Sequence, residues 1–459
     1  MRSRSMFRVL LVPCLAVAMI AAPSAQTDQK VTVPIEYHKL ENGLKVVMSR
    51  DTSSPTAVVA LYYNIGFRLE PKDRTGFAHL FEHMMFQGSA NLGKNEFIGL
   101  VESNGGILNG STRFDFTNYY QIIPAHTVET VLWGEADRMR GLNITQENLT
   151  NQQGVVKNEV KVNVLNQPYG GFPWLDLPQL ANTNWFNAHN FYGDLADLDA
   201  ATLGDVQQFF QTYYSPNNAV LVVTGDIDTA QTLGWIRTYF AGIPASKLPA
   251  QPDIAEPRQE KERRTNREDA LVNRPALALG YHHPVRDTPE FYAMGLIDQM
   301  LVQGQDSRLY QALVQKRGLT GSVSGGANPG LGSMFDVKGP MLWTVYMIHD
   351  SDKPADEILK AIDEEVARLQ HTPVTKEELE LALVKQRSAL YAEQEQFVRF
   401  GRANLLASYA LFDDDPGKIN RMEDDFRTVT PELIQQTARE YLRPGNRTIL
   451  TITPKAKGN

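Results

Sequence analysis

Cysteine is almost absent from this sequence: Cys14 is the only one in 459 residues. It lies in an N-terminal apolar run, so a chain that has lost this run contains no cysteine and no disulfide. A domain of ordinary size does not need disulfides, even in an oxidising compartment. The absence also excludes thiolate ligands, so any metal must be bound by histidine, aspartate or glutamate side chains.

Long hydrophobic runs are equally scarce. The one that stands out, VLLVPCLAVAMIAA at residues 9–22, is too short to span a bilayer well. An arginine-rich, acid-free leader precedes it, and small residues suited to cleavage after Ser24 or Ala25 follow it. This order is typical of a secretory signal peptide, here residues 1–25. We therefore expect an exported protein without membrane insertion, most simply a periplasmic one.

Positive charge is also in deficit. Lysine and arginine number 45 against 53 aspartates and glutamates, which gives a formal net charge of −8. Loss of the arginines in the leader makes the chain more negative still. This balance argues against nucleic acid or an anionic membrane surface as the partner. The length allows two domains of about 200 residues each.

Two segments of the chain repeat each other. TLGDVQQFFQTYYSPNNAVLVV at 202–223 and TPELIQQTAREYLRPGNRTILT at 430–451 align without gaps. Each pattern predicts a helix capped by threonine, then a Pro-Asn turn, then a strand rich in β-branched residues. A second pair, SPTAVVALYYNIG at 54–66 and RPALALGYHHPV at 274–285, predicts an earlier strand in each copy. The sequence therefore indicates an internal duplication.

A segment rich in proline and charge, residues 244–270, separates the copies and predicts a linker. We expect two similar domains, residues 30–243 and 271–455. Both mix helical and strand patterns, so the predicted fold class is α+β, and each domain is predicted to be a mainly antiparallel sheet flanked by helices.

The stretch GFAHLFEHMMFQG at 76–88 holds two histidines at metal-ligand spacing. On a helix, His79 and His83 lie on one face, one turn apart, and can reach the same ion. Glu82 lies on the neighbouring edge. A zinc hydrolase needs three protein ligands and an open position for water, and a nearby carboxylate can take a proton from that water. The alternative is two packed or solvated imidazoles on an ordinary helix.

The second copy bears on this choice. Its matching stretch, RLYQALVQKRG, has Arg308, Gln311 and Ala312 where the first copy has its histidines and glutamate. Both copies keep the apolar helix positions, which packing alone explains. Packing does not explain the polar residues added to one copy, so the comparison favours a functional role for them.

A third ligand must come from elsewhere in the chain. NQQGVVKNEVKVNV at 151–164 predicts a helix whose buried side carries Val155, Val156 and Val160. Glu159 lies among these valines. An unpaired carboxylate there would be costly to bury, whereas a metal-bound one would not. A surface glutamate at the edge of the apolar stripe is the alternative.

His-x-x-Glu-His is the order found in inverzincins. The chain resembles the family of pitrilysin, insulin-degrading enzyme and mitochondrial processing peptidase along nearly its whole length after the leader. The stretches that carry the resemblance are GFRLEPKDRTGFAHLFEHMMFQGS, ESNGGILNGSTRFDFTNYYQIIP and YYSPNNAVLVVTGDID. It implies a peptidase with one Zn²⁺ per chain, bound by His79, His83 and Glu159. It also implies that Glu82 is the general base.

The resemblance further implies where substrate binds. The residues concerned are Asn109, Gly110, Ser111 and Thr112. They would lie on an edge strand that pairs with the backbone of an extended peptide, with little regard for its sequence. Glycines in this stretch suit the close approach of two backbones. A glycine-containing hairpin without a ligand is the alternative.

Two departures from the family pattern stand out. Gln152 occupies a position where members often have a second glutamate; an amide there can hydrogen-bond beside the ligands but carries no charge. Val314 and Gly321 occupy the positions of an Arg and a Tyr that stabilise the tetrahedral intermediate in active members. The resemblance therefore implies a heterodimer with a homologous, zinc-free partner that supplies the Arg and Tyr.

The predicted function is that of an exported zinc endopeptidase subunit, which hydrolyses peptides or unfolded segments in a closed chamber. Two alternatives stay open. One is a non-catalytic scaffold or assembly protein of the same fold. The other is a homodimeric peptidase that uses other residues to stabilise the oxyanion.

Overall fold

Apolar strand patterns build two β-sheets in this chain. The computed structural model describes residues 31–455, so the predicted signal peptide at residues 1–25 lies outside it. The strands are β1 (Glu36–Lys39), β2 (Lys45–Arg50), β3 (Thr56–Tyr63), β4 (Ile107–Thr112), β5 (Thr117–Pro124), β6 (Ala219–Gly225), β7 (Arg263–Asp269), β8 (Ala276–His282), β9 (Ser324–Ala327), β10 (Leu342–Ile348) and β11 (Arg447–Pro454).

Helices lie between and around these strands. The α-helices are α1 (Phe77–Met84), α2 (Glu96–Ser103), α3 (Val128–Arg140), α4 (Gln146–Val160), α5 (Asp176–Ala181), α6 (Trp185–Ala188), α7 (Leu195–Ala200), α8 (Leu203–Tyr213), α9 (Thr229–Phe240), α10 (Pro289–Leu301), α11 (Ala355–His371), α12 (Lys376–Phe412), α13 (Met422–Arg427) and α14 (Pro431–Tyr441). α12 is interrupted by a kink, where Gln396, Phe397, Val398 and Arg399 leave the helical region of backbone angles. Among the helices of residues 31–455, none combines the length and apolar character needed to cross a bilayer.

The first sheet has the order β1-β2-β6-β3-β5-β4. Its central strands β3 and β6 are buried along almost their whole length, which accounts for their unbroken apolar sequences. β2 and β6 run parallel, and the other neighbouring pairs run antiparallel. β4 lies at one edge, where its backbone pairs with β5 on one side only.

The second sheet, in the order β7-β11-β8-β10-β9, repeats this plan. β7 and β11 run parallel, as β2 and β6 do. In each half a threonine caps the helix that precedes the central strand: Thr202 begins α8 before β6, and Thr430 begins α14 before β11. The predicted helix–turn–strand repeat and the α+β fold class are confirmed.

The predicted linker, residues 244–270, is wrong at its C-terminal end. Residues 263–269 form β7, which pairs with β11 in the place that β2 takes beside β6. β7 is an edge strand with alternating burial and the sequence RRTNRED. Charged side chains are common on edge strands, and here they resembled those of a linker. The remaining domain boundaries stay predictions.

Helices from both halves cover the first sheet. One face of the first sheet is covered by its own helices α1, α3, α8 and α9. The other face is covered by α12 from the second half. Two hydrogen bonds secure this contact, both 2.8 Å long: Tyr62 Oη donates to Asn404 Oδ1, and Lys45 Nζ donates to the Ala410 carbonyl.

A buried ion pair of the first half is also hydrogen-bonded to the second half. Arg68 Nε lies 2.7 Å from Asp115 Oδ1. Arg68 also donates to the Pro340 carbonyl at 2.7 Å, and Asp115 Oδ2 accepts from the backbone N–H of Lys338 at 2.7 Å. Because Asp115 lies in the turn between β4 and β5, this pair ties the edge hairpin of the first sheet to the second half.

Candidate metal centre

Helix α1 positions the two histidines of the motif. The helix buries an apolar stripe against the first sheet, formed by Phe77, Leu80, Phe81 and Met84. At its start, Glu70 accepts hydrogen bonds from the N–H groups of Gly76 at 2.8 Å and Ala78 at 2.7 Å. A carboxylate there satisfies free N–H donors and complements the positive end of the helix dipole.

The structure brings His79, His83 and Glu159 together. The Nε2 atoms of the two histidines are 3.3 Å apart. Glu159 Oε2 is 3.5 Å from His79 Nε2 and 3.2 Å from His83 Nε2. The three residues each offer one ligand atom, and these atoms all lie within 4.8 Å of one another. Two imidazole nitrogens and a carboxylate oxygen are a donor set that zinc favours, so the residues present fit this ion.

The electrostatics of the ligands suit metal binding. Burial, followed by the charge of His83, lowers the pKa of His79 to about 4, so its imidazole is neutral at physiological pH. Burial pushes the pKa of Glu159 upward, but the hydrogen bond with His83, followed by the electrostatic interactions with the two imidazoles, outweighs it, so the pKa lies below its ordinary value. A neutral imidazole and an ionised carboxylate are the forms that bind metals.

Helix α4 carries Glu159 to the side of α1. The buried side of α4 includes Gln152, Val156 and Val160. Val155, predicted to be buried, is instead 40% exposed. Successive helical residues are rotated by about 100°, so Val155 cannot share the buried direction of Val156 in this phase of the helix. Glu159 is half-buried beside the two histidines.

Glu82 is half-buried next to the ligands and is held by the edge strand. Thr112 Oγ1 donates to Glu82 Oε2 at 2.8 Å. Gly110 leaves room for the carboxylate, because a Cβ at that position would lie 3.2 Å from Glu82 Cγ. Removal of water from its surroundings raises the pKa of Glu82. A raised pKa suits a group that takes up and releases a proton near neutral pH.

The predicted substrate residues lie on β4, at the edge of the first sheet. Asn109 is exposed, and its Oδ1 accepts from the Gly110 N–H at 2.9 Å. Ser111 Oγ donates to Asn118 Oδ1 at 2.5 Å. Thr112 is buried and contacts Glu82 instead of the open edge. The binding of substrate by this strand stays a prediction.

The positions that depart from the family pattern lie on elements of both halves. Gln152 is buried on α4, and its side-chain amide donates to Asn151 Oδ1 at 2.8 Å. This hydrogen bond joins two neighbours on the same helix, and a role of Gln152 beside the ligands stays a prediction. Val314 belongs to a π-helix over Tyr310–Lys316 in the second half, where the repeat predicts a helix. Gly321 follows it and is exposed.

Two residues around His79 were not found from the sequence. The ring centroids of Phe191 and Tyr192 lie 4.9 Å and 5.1 Å from that of His79. Burial, followed by the charge of Glu159, raises the pKa of Tyr192 to about 12, so its hydroxyl stays protonated. The available signal was the aromatic pair in HNFYG at 189–193, which fits no helical or strand period.

Two protein families match separate stretches of the chain, one in each half. The family described as Insulinase (Peptidase family M16) matches residues 45–169. The one described as Peptidase M16 inactive domain matches residues 200–384. The ligand set and Glu82 all fall in the first match, and Val314 and Gly321 fall in the second.

Similar proteins match the chain over nearly its whole length. The zinc protease PqqE of Helicobacter pylori is 24% identical over 450 residues, which cover 96% of this chain and 97% of that protein. The crystal structure of a protease from Helicobacter pylori superposes with a TM-score of 0.84 at 24% identity, covering 92% of this chain and all of that one. The periplasmic protease PqqL from Escherichia coli superposes with a TM-score of 0.73 at 20% identity, and 48% of that longer chain is covered.

Proposed function

Since this chain belongs to peptidase family M16, the insulinase or pitrilysin family, we propose that it is a zinc metallo-endopeptidase subunit. Its substrates would be peptides or unfolded segments enclosed in a chamber formed with a second subunit. Relatives named zinc proteases support the reaction class. The observation that carries the proposal is the meeting of His79, His83 and Glu159 on two helices, with Glu82 beside them.

The side chains of this site have separate tasks. His79 Nε2, His83 Nε2 and Glu159 Oε2 would hold the ion. Zinc, when bound, supplies a Lewis acid that acidifies water and polarises a carbonyl oxygen. Thr112 holds Glu82 Oε2, so Oε1 is the oxygen that can accept the proton of the attacking water. Glu82 would then deliver this proton to the amine nitrogen of the leaving peptide.

Strand β4 would bind the substrate backbone. Hydrogen bonds alternate along an antiparallel pair, and the bond from the Arg113 N–H to the Phe116 carbonyl at 2.8 Å fixes their phase. The Gly110 N–H therefore points away from β5, in agreement with its bond to the Asn109 side chain. An extended peptide could displace that side chain and accept from the freed N–H. Recognition through the main chain suits a peptidase of broad sequence range.

We also propose that the chain works as a heterodimer after export. Val314 and Gly321 offer neither a guanidinium nor a phenol to the substrate carbonyl, so a homologous, zinc-free subunit would supply the Arg and Tyr. The N-terminal leader supports export. A structural relative described as a periplasmic protease supports the periplasm as the location.

Elemental analysis together with the Glu82→Gln variant tests the reaction. We expect one zinc per chain in wild type and variant alike, because Glu82 is not a ligand. Peptide hydrolysis by the chain with its partner should fall by about 10²–10⁴-fold, the usual contribution of a general base. Glu147→Gln, on the exposed first turn of α4, is the matched control. Zinc-loaded wild type that hydrolyses no peptide with its partner would contradict the proposal.

A non-catalytic scaffold of the same fold is the second candidate. Val314 and Gly321 favour it, since the groups that stabilise an oxyanion in active members are replaced here. The complete set of ligands with Glu82 argues against it, because a scaffold has no need of these side chains. Protein purified with zinc in the medium that nevertheless lacks stoichiometric metal would support the scaffold and exclude the peptidase.

A further inference from the structure

We propose that Tyr192 is a positioning residue for the third metal ligand, Glu159. The inference rests on the proposed zinc site and concerns how its carboxylate is aimed. Tyr192 is buried, and its Oη lies 3.3 Å from Glu159 Oε1. Asn163, on the next turn after Glu159, offers Nδ2 to the same oxygen at 3.5 Å.

The two oxygens of Glu159 have different surroundings. Oε1 meets Tyr192 and Asn163, whereas Oε2 faces the Nε2 atoms of both histidines. The last torsion of a glutamate side chain is broad, so an unheld carboxylate could present either oxygen, or both, to an ion. The hydroxyl of Tyr192 donates to Oε1 and leaves Oε2 as the oxygen presented to the metal.

The ring of Tyr192 also packs on the first histidine. It meets the His79 ring edge-on, at 75° and 5.1 Å between centroids, and Phe191 contacts the same imidazole. A metal-binding histidine usually donates its second ring N–H to a carboxylate or carbonyl. Among the described residues, His79 Nδ1 is buried without such a partner. Contacts with the two aromatic rings, instead of a hydrogen bond at Nδ1, therefore orient this imidazole.

The loop that carries Tyr192 is fastened to the start of α1. Asn190 Oδ1 accepts from the Tyr192 N–H at 2.7 Å, and Thr75 Oγ1 accepts from the Asp194 N–H at 2.8 Å. Gly193 has a φ of +70°, and a Cβ there would lie 2.2 Å from the Gly76 nitrogen. Only glycine permits this approach, so Tyr192 is held in register with the helix that bears the histidines.

The test compares zinc affinity, measured by competition with a chromophoric chelator, in wild type and Tyr192→Phe. The variant keeps the ring and loses the hydroxyl, so we expect zinc binding to weaken by about 10–100-fold, as for partners of metal ligands in general. The melting temperature of the metal-free protein should stay close to that of wild type. With Co²⁺ in place of zinc, the visible absorption should change, because the carboxylate is no longer held by one oxygen.

Tyr239→Phe is the matched control, since the Tyr239 hydroxyl donates to Glu129 Oε1 at 2.8 Å and touches no ligand of the site. Unchanged zinc affinity and an unchanged cobalt spectrum in Tyr192→Phe would overturn the role of Tyr192 and leave the zinc site standing. Wild-type protein that binds no zinc would overturn both proposals. Tyr192→Leu, which also removes the ring, should weaken zinc binding further than Tyr192→Phe; equal affinities would exclude the orientation of His79 by the ring.

Discussion

Asp298 on α10 is an enclosed acid that belongs to no predicted site. Its Oδ1 accepts from Trp343 Nε1 at 2.8 Å, and its Oδ2 accepts from Gln303 Nε2 at 3.0 Å. Loss of water around the carboxyl outweighs these bonds and raises the pKa of Asp298 from 3.8 to about 6. The folded chain therefore binds this proton more tightly than the unfolded chain does.

We expect the stability contributed by Asp298 to be fully present below about pH 4 and to be lost as the pH rises through about 6. A shift of about two pKa units corresponds to about 3 kcal/mol. Asp298→Asn removes this dependence, so urea unfolding should show the variant gaining stability relative to wild type between about pH 4 and pH 7. Asp199→Asn, at an exposed pair with Lys157, is the control. Parallel pH curves for Asp298→Asn and wild type would contradict this account.

Single residues could be predicted from the sequence where their partners lie nearby along the chain. His79, Glu82 and His83 lie within about one helical turn, so spacing alone brings them together. A helical pattern and the family resemblance indicate Glu159, whereas spacing does not. Tyr192 meets the ligands only because a loop without periodicity folds back on α1, and no spacing rule describes such a contact.

At the scale of elements, the edge strand β4 and helix α1 fit each other through Gly110. A Cβ added at Gly110 would lie 3.2 Å from Glu82 Cγ and 3.3 Å from Tyr119 Cδ1. Both distances are tight, so Gly110→Ala should push the Glu82 carboxylate away from its place beside the ligands. We expect kcat of the complex to fall about 10-fold with zinc content unchanged, since small misplacements of catalytic groups are costly.

Gly99→Ala is the matched control for this variant. Gly99 lies inside α2, and a Cβ there would meet no heavy atom within 4 Å. Alanine favours helix over glycine, so activity and stability should be kept or slightly raised. If Gly110→Ala hydrolyses peptide at the wild-type rate, the close fit of β4 to Glu82 does not matter for catalysis.

The elements differ in how well their sequences predict them. The threonine caps, Pro-Asn turns and β-branched runs of the repeat are local signals, so α8 with β6 and α14 with β11 were predicted correctly. The sequence of β7 predicts a linker instead of a strand, because the pairing of β7 with β11 depends on residues about 180 positions away in the chain, beyond any local pattern. Val155 is predicted to be buried but is exposed, which shows that a sequence can predict a helix without predicting which of its sides is buried.

At the scale of the molecule, the described part of the second half supports the candidate site, whose three candidate ligands all come from the first half. Arg68 and Asp115 join the β4–β5 turn to the segment that includes Pro340, and α12 packs on the back of the first sheet. These contacts link residues hundreds of positions apart, which is why the sequence alone suggested two separate domains with a linker. The edge strand is thus held by both halves.

Substitution of Val314 by arginine and of Gly321 by tyrosine tests whether a partner is needed. Val314 lies on the π-helix of the second half, and a Cβ at Gly321 would meet no heavy atom within 4 Å, so a side chain can start there without a clash. We expect the wild-type chain alone to hydrolyse a quenched fluorescent peptide poorly. The double variant Val314→Arg, Gly321→Tyr should gain at least about 10-fold, since one lost oxyanion donor commonly costs 10²–10³-fold.

The gain of the double variant should grow faster than protein concentration, because the added Arg and Tyr of one chain would serve the zinc site of a second copy. Val314→Arg with Gly321→Phe is the matched control: it adds the same bulk without the phenol and should gain less. Addition of Glu82→Gln should abolish the gain, and activity that survives it would contradict the role of Glu82. Full activity of the wild-type chain alone would instead exclude the partner, and a homodimer with other oxyanion donors would follow.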